Sequence, residues 1–174
     1  IAQAKSEHGD AWEDHCQWRM YKSLLKTSSS SGPVTDSICV RIIERGADIA
    51  AKGSPAYNDT VHVNYRGWLM PTYNYIGTGT EMGIVQDMFD TSYYGDFNPA
   101  TAAPTLMGMR NLIEGFSTAM QYMVEGDDWM VFIPYNLAYG SAGSGKIPGY
   151  STLQFRVNLV RWYESGSGAP STWE

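Results

Sequence analysis

Two stretches near the C-terminus of the chain alternate apolar and polar residues with a period of two. In the first, apolar residues recur at Trp129, Val131 and Ile133. In the second, residues 153–159, every other residue is apolar, in the order Leu153, Phe155, Val157 and Leu159. This period is typical of β-strands with one face on a core. We therefore predict two strands at 127–133 and 153–163, joined by a glycine-rich loop.

The same reasoning extends over the middle of the chain. We predict further strands at 37–45, 60–70, 89–92 and 105–107, each bounded by glycine, proline or polar residues. One helix follows, with Asn111 as its N-cap and Glu114 completing a capping box. Apolar residues at helical spacing give it a buried face, and Gly126 ends it. The pattern predicts an α+β domain, a twisted antiparallel sheet of five to six strands wrapped on one short helix.

The N-terminal segment carries a different periodicity. Trp12, Cys16, Met20 and Leu24 recur every four residues, which predicts an amphipathic helix over residues 6–27. A lone helix cannot bury such a stripe, so it docks on the domain, on a second copy of the chain or on a partner. Residues 27–33, TSSSSGP, have the composition of a flexible linker.

Four motifs follow one another along the chain. They are VHVNYRG at 61–67, FDTS at 89–92, LIEGF at 112–116, and IPYNLAYG at 133–140 followed by IPGYSTLQFRVNL at 147–159. Through these motifs and their order, the chain resembles the FKBP-type peptidyl-prolyl cis-trans isomerases over about residues 59–163. The resemblance implies that family's half-barrel for residues 34–164, preceded by an extension and linker (1–33) and followed by a tail (165–174).

The resemblance also implies the site residues. Three of them act on the substrate: the Tyr139 hydroxyl and the Ile113 backbone N–H donate hydrogen bonds, and the Asp90 carboxylate polarises the pocket. An N–H in the first turn of a helix has no intrahelical partner, which suits that role for Ile113. The wall that receives the proline ring consists of Tyr65, Phe89, Leu112, Phe116, Ile147 and Phe155. The expected activity, rotation of an X-Pro bond, needs no nucleophile, so we expect neither a metal nor a cofactor.

Some residues depart from the family pattern. Phe116 stands where the family usually has Trp, and Ala103 and Thr105 stand where it often has aromatic residues. We therefore expect a more open, polar rim. A non-catalytic module that binds proline-containing peptides is an alternative to the enzyme, and a protein that dimerises through its N-terminal helix is another.

A second departure is an insertion at about residues 71–86, which contains Tyr73 and Tyr75 among several glycines. The family usually has a short hairpin there. Long insertions in surface loops have a small effect on stability. The insertion could therefore form a contact surface for a partner, or it could be tolerated without any role.

Charge and hydropathy narrow the range of partners. The net charge is −6 and the chain has no basic run, so we exclude phosphate-backbone binding. No apolar run approaches the length of ~20 residues that crosses a bilayer. The expected partners are proline-containing polypeptides. The extension, linker and insertion look most like cell-envelope FKBP-type proteins of Gram-negative bacteria, which implies the periplasm or a lipid tether upstream.

Overall fold

Most strands of the protein belong to a single antiparallel sheet. The computed structural model describes residues 1–26, 35–47 and 52–168. Within these residues the strands are β1 Trp18–Lys22, β2 Ser37–Glu44, β3 Thr60–Leu69, β4 Thr72–Tyr75, β5 Met82–Val85, β6 Met88–Thr91, β7 Thr105–Gly108, β8 Asp128–Ile133 and β9 Leu153–Tyr163. The main sheet has the order β1-β2-β8-β9-β3-β6, and β7 also pairs with β3. The predicted α+β class with a mostly antiparallel sheet is confirmed.

Strands β8 and β9 form the centre of the sheet, as their alternation predicts. Trp129 pairs with Val157 and Val131 with Phe155 across the two strands, and all four side chains are buried. Asn158 lies on the predicted polar face, yet it too is buried. Its amide donates to the carbonyl of Asp127 (3.2 Å) and accepts from Asn64 (3.2 Å), which compensates for its lost hydration.

Helix α2, Glu114–Met120, packs against one face of the sheet. Every residue of the helix after Glu114 is buried. The helix backbone comes very close to the sheet at Gly115, where a Cβ atom would lie 2.2 Å from Cγ2 of Ile133. Only glycine allows this approach. The core therefore lies between α2 and the inward residues of β2, β3, β8 and β9.

The N-terminal segment is not the long helix that its four-residue spacing predicts. Helix α1 spans only Ala2–His8 and ends at Gly9, whose φ of +54° suits glycine. A 3-10 helix follows, Gly9–His15. The chain then extends into β1 and pairs antiparallel with β2, which would otherwise be the edge of the sheet. Backbone pairing with β2 satisfies groups that an edge strand leaves open, and it outweighs the helical pattern.

Strand β1 is also attached to the domain through its side chains. The ring of Tyr21 stacks on Tyr122 with centroids 4.2 Å apart. Beyond the strand, the Ser23 hydroxyl donates to Oε1 of Glu114 at 2.6 Å, and Lys26 approaches Oε2 of the same carboxylate at 3.4 Å. The sheet therefore gains a strand from residues that we assigned to the extension.

The predicted linker at 27–33 lies outside the described residues, and the predicted tail 165–174 is described only to residue 168. The division of the chain at residue 33 stays a prediction. In the parts of the chain that the structure describes, no helix has the length and apolar character required to cross a membrane.

The insertion at 71–86 forms a β-hairpin. Strands β4 and β5 pair with each other in a small second sheet. The hairpin begins where β3 ends and returns directly into β6, so it forms the connection between these two strands.

Candidate active site

A cavity of about 180 Å³ opens between β3, β6, the start of α2 and the loop that follows β8. Its lining consists of aromatic and aliphatic side chains with a few polar groups at the mouth. The lining residues are Tyr65, Phe89, Asp90, Met107, Asn111, Leu112, Ile113, Phe116, Tyr139 and Phe155. The fold thus brings together eight of the nine residues that the resemblance implies.

Four aromatic rings form the wall in edge-to-face contact. The centroids of Phe116 and Phe155 are 5.2 Å apart at 84°. Phe89 meets Phe155 at 5.4 Å and 83°, and Tyr65 meets Phe116 at 6.0 Å and 85°. Edge-to-face pairs of this kind stabilise one another beyond simple burial. The cavity wall is therefore held in shape before any ligand enters.

Gly67 on β3 makes room for two of these rings. A Cβ atom at this position would lie 2.6 Å from Cε1 of Phe155 and 2.7 Å from Cε2 and Cζ of Phe89. These distances are well inside ordinary carbon contact. Both rings lean against the bare backbone of β3, and any side chain here would displace them.

A hydrogen bond joins the wall to the carboxylate at the mouth. The Tyr65 hydroxyl donates to Oδ2 of Asp90 at 2.8 Å, and the backbone N–H of Thr91 donates to Oδ1 at 2.9 Å. Burial raises the pKa of Tyr65 well above its usual range, and the bond to Asp90 raises the pKa further. The hydroxyl keeps its proton, and Asp90 is fixed by two donors.

Two donors face the cavity without partners in the described part of the chain. The hydroxyl of Tyr139, which is 37% exposed, has no hydrogen bond among the described residues, nor has the N–H of Ile113. Tyr139 follows a 3-10 turn, Tyr135–Leu137, that ends the strand β8 and turns the chain over the cavity. Both groups are available to a ligand.

The geometry at Ile113 differs from the prediction. Asn111 does not cap α2; it ends a 3-10 turn, Met109–Asn111, and Leu112 is extended. Ile113 is itself the N-cap residue, and Glu114 begins the helix. The Ile113 N–H is therefore free because it precedes the helix, and the Glu114 carboxylate binds Ser23 instead of completing a capping box.

Ile147 does not lie where we predicted it. Its side chain is buried at 7% exposure, packs in the core and is not among the residues that line the cavity. Met107 and Asn111 line the cavity instead, and sequence reasoning missed both. Met107 is partly buried on β7, opposite Val61 of β3. A signal for it existed, since the apolar pair Leu106-Met107 precedes the helix.

Metal-binding side chains do not gather near the cavity. Nowhere in residues 1–26, 35–47 or 52–168 do three His, Cys, Asp or Glu side chains come close enough to hold a metal ion.

A comparison with protein families places the cavity within a known family. The model of the family described as FKBP-type peptidyl-prolyl cis-trans isomerase matches residues 51–160, which include every residue of the cavity.

Individual relatives agree with this match. The chain is 36% identical over 128 residues to the macrophage infectivity potentiator of Trypanosoma cruzi, covering 73% of this chain and 55% of that one. It is 32% identical over 159 residues to the FKBP-type peptidyl-prolyl cis-trans isomerase FkpA of Escherichia coli K12, covering 91% and 50%. A crystal structure of a peptidyl-prolyl cis-trans isomerase from Pseudomonas syringae aligns with a TM-score of 0.54 at 26% identity, covering 73% and 76%. The chain spans about half the length of the curated relatives it matches.

Proposed function

Because this chain belongs to the FKBP-type peptidyl-prolyl cis-trans isomerase family, we propose that it catalyses the cis–trans isomerisation of X-Pro bonds in polypeptide clients and so assists their folding. The observation that carries this proposal is the convergence of the Tyr139 hydroxyl, the Ile113 N–H and the Asp90 carboxylate on the mouth of one aromatic cavity.

The chemistry is rotation about a bond with partial double-bond character. The barrier is about 18–20 kcal/mol and the uncatalysed step takes tens of seconds or longer. At the top of the barrier the conjugation between nitrogen and carbonyl is lost, so the twisted amide is less polar than the planar one. A dry apolar surface favours the twisted amide over the planar amide more than water does.

The aromatic wall supplies that surface. The edge-to-face rings of Phe89, Phe116 and Phe155 line a small apolar cavity, which suits the compact, apolar pyrrolidine ring of proline. Because the rings are already packed against one another, the cavity needs no rearrangement to receive the ring. Binding free energy is then available to stabilise the twisted amide.

The two free donors hold the peptide on either side of the proline. Tyr139 donates from the loop after β8, and Ile113 donates from the residue that precedes α2. Hydrogen bonds to two carbonyls of the client fix its backbone while the X-Pro bond turns. Asp90 has an electrostatic role, because it is bound to Tyr65 and to a backbone N–H and is not placed to move a proton.

An assay on a short prolyl peptide tests this proposal. We expect Tyr139→Phe to lower kcat/KM by roughly 3- to 10-fold, the effect of one hydrogen bond, and Asp90→Val to lower it as well. Tyr135→Phe is the matched control for the first variant, since Tyr135 lies in the same loop with 38% exposure and does not line the cavity. Asp87→Val controls for the loss of an exposed carboxylate close to the same strand. Wild-type activity in both site variants would refute the assignment.

A non-catalytic module that binds proline-containing peptides is the second candidate. The observation that favours it is the exposed Thr105 on β7, at a position where the family often has an aromatic residue. A more open rim stabilises the twisted amide less, because water reaches it, but it does not prevent the peptide from binding. Saturable binding of a prolyl peptide with no acceleration of its isomerisation would establish the module and exclude the enzyme.

We also propose a location at the cell envelope, with proline-containing polypeptides as clients. The likeness to FKBP-type proteins of Gram-negative bacteria supports it, above all the Escherichia coli relative that covers 91% of this chain. An upstream lipid tether remains a hypothesis.

Dimerisation through the N-terminal segment also remains a hypothesis. Truncation at residue 33 is a poor test, because it removes β1 from the main sheet. Removing residues 1–15 leaves that strand in place. Light scattering on the two chains then reports whether α1 and the following 3-10 helix hold two copies together.

A further inference from the structure

The hairpin β4–β5 presents an apolar face. Directly opposed residues of an antiparallel pair lie on the same face of the sheet. Tyr73 pairs with Ile84 and Tyr75 pairs with Met82, so these four side chains share one face. Their exposed fractions are 70%, 78%, 58% and 43% in that order. We call these four residues the hairpin face.

The opposite face of the hairpin carries smaller side chains. It carries the pairs Thr72 with Val85 and Asn74 with Gly83. Ile76 folds back over Gly83, where a Cβ atom would lie 2.7 Å from its Cδ1. Ile76 thus stabilises the turn, while the hairpin face lies open on the other side. A two-stranded hairpin is marginally stable by itself. An exposed apolar face on such a hairpin therefore indicates a surface that a ligand or partner covers.

The hairpin is attached firmly to the elements that carry the cavity. The N–H of Leu69 donates to the carbonyl of Asp87 at 2.9 Å. The side-chain amide of Gln86 donates to the carbonyl of Leu69 (3.0 Å) and to Oε1 of Gln154 (3.1 Å). The next residues of β6 are Phe89 and Asp90 of the cavity. Ile84 is five residues from Phe89, so at about 3.4 Å per residue the two lie no more than roughly 17 Å apart.

The charge of this region limits what can bind there. Residues 67–109 contain no Lys, Arg or His and four acidic residues, which are Glu81, Asp87, Asp90 and Asp96. Three of the four lie on the path from the cavity to the hairpin tip. An acidic chain segment is therefore repelled, and an apolar segment with basic residues is attracted.

We propose that the hairpin face binds an extended, apolar and basic segment of the same client whose X-Pro bond occupies the cavity, about five residues away from that bond. This inference rests on the proposed function and names a second contact for its substrate. An extended client covers about the same distance per residue as the chain that runs from β5 into β6, so a continuous peptide is long enough to reach both places. The expected specificity is for unfolded chains with hydrophobic and basic residues near a proline.

Two other occupants fit the observations less well. In a dimer through this face the acidic residues of two hairpins would approach one another, and the patch of four side chains is much smaller than the ~800 Å² per partner of a standard interface. An anionic membrane surface would be repelled by the same acidic residues.

Two peptides test the proposal on the full chain. One is a prolyl tetrapeptide, and the other extends it on each side by about eight residues containing Phe, Leu and Lys. The test variant is Tyr73→Ser with Ile84→Ser, and the matched control is Thr72→Ser with Asn74→Ser on the opposite face. We expect the test variant to lose about tenfold in kcat/KM for the extended peptide, mainly through KM. Its activity on the tetrapeptide and the control variant's activity on both peptides stay at wild-type level.

Binding of the labelled extended peptide, measured by fluorescence anisotropy, separates this inference from the proposed function. If the wild-type chain turns over neither peptide, the proposed function fails, and the anisotropy alone decides the hairpin inference. Equal affinity of wild type and test variant overturns the inference, as does equal affinity for an extended peptide with Glu in place of Lys. A wild-type dimer that becomes monomeric in the test variant also overturns it, because the occupant is then a second copy.

Discussion

Gly67→Ala tests whether the shape of the aromatic wall controls activity. The added Cβ would lie 2.6–2.7 Å from atoms of Phe155 and Phe89, whereas carbon atoms prefer about 3.5–4.0 Å. Each ring must therefore move by about 1 Å. The backbone of β3 is held by β9 and β6 on its two sides, so the rings give way toward the cavity rather than the strand.

This displacement has two measurable effects. Overpacking of this kind lowers the free energy of unfolding by about 1–3 kcal/mol. A shift of about 1 Å in groups that position a reacting bond lowers the rate by up to roughly 100-fold, so we expect kcat/KM on a prolyl tetrapeptide to fall roughly 10- to 100-fold. Urea unfolding and a prolyl-peptide isomerisation assay measure the two effects on the same preparation.

Gly46→Ala separates the two effects. A Cβ at Gly46 would lie 2.1 Å from the carbonyl oxygen of Glu125 and 2.7 Å from the backbone N of Asp127, at residues that do not line the cavity. We expect this variant to lose stability while its folded fraction keeps wild-type kcat/KM. If Gly67→Ala is destabilised but remains fully active, the cavity wall does not determine turnover and the reasoning is refuted.

Three further predictions concern stability. Burial, and after it the bond to Asp90, raises the pKa of Tyr65, so the folded chain holds this proton more tightly than the unfolded chain, whose tyrosines titrate near pH 10. The resulting stability is full below pH 10 and declines above it. Between pH 8 and pH 11 we therefore expect Tyr65→Phe to lose less stability than the wild type in urea unfolding, and an equal loss contradicts the raised pKa of this hydroxyl. Ser23→Ala removes the 2.6 Å bond to the Glu114 carboxylate and lowers the free energy of unfolding by about 1–2 kcal/mol, measured by urea titration; an unchanged midpoint shows that this contact does not fasten β1. Phe116→Ala empties the centre of the ring cluster and lowers the free energy of unfolding by about 3–5 kcal/mol, and a loss below 1 kcal/mol contradicts the packing described for this residue.

The strands of the main sheet were predictable from the alternation of apolar and polar residues. In β8 and β9 the inward residues alternate with outward ones, since each strand covers the core with one face only. The four motifs then identified the family and eight of the cavity residues. Ile147 was assigned to the wall but lies in the core, because the loop 134–152 folds back on itself, with Ser144 and Ile147 paired.

In the N-terminal segment, tertiary contacts determine a structure that the sequence pattern does not predict. Met20 and Leu24 fit a helical stripe, yet residues 18–22 form a strand in which Arg19 is buried and Trp18 and Met20 are exposed. This burial is the reverse of the apolar pattern in the sequence, so the strand depends on its pairing with β2. Gly9 was a signal for an early helix end that the prediction passed over.

The hairpin in the insertion carried a signal as well. Large apolar residues alternate with small or polar ones in two short stretches, at Tyr73 and Tyr75 and again at Met82 and Ile84. Gly77 and Gly79 lie between the two stretches. Such a pattern predicts two strands and a turn. It does not reveal which face meets solvent, because that depends on the position of Ile76 over Gly83 in the folded chain.

The central claim is that the aromatic cavity receives a proline ring and releases it with the X-Pro bond turned. NMR exchange spectroscopy of a prolyl tetrapeptide with the full chain tests it most directly. The account predicts accelerated cis–trans exchange, together with contacts from the proline ring to Phe89, Phe116 and Phe155, and it predicts that the acceleration and these contacts are both weaker in Gly67→Ala. Exchange at the uncatalysed rate, or peptide contacts that bypass these rings, would contradict it.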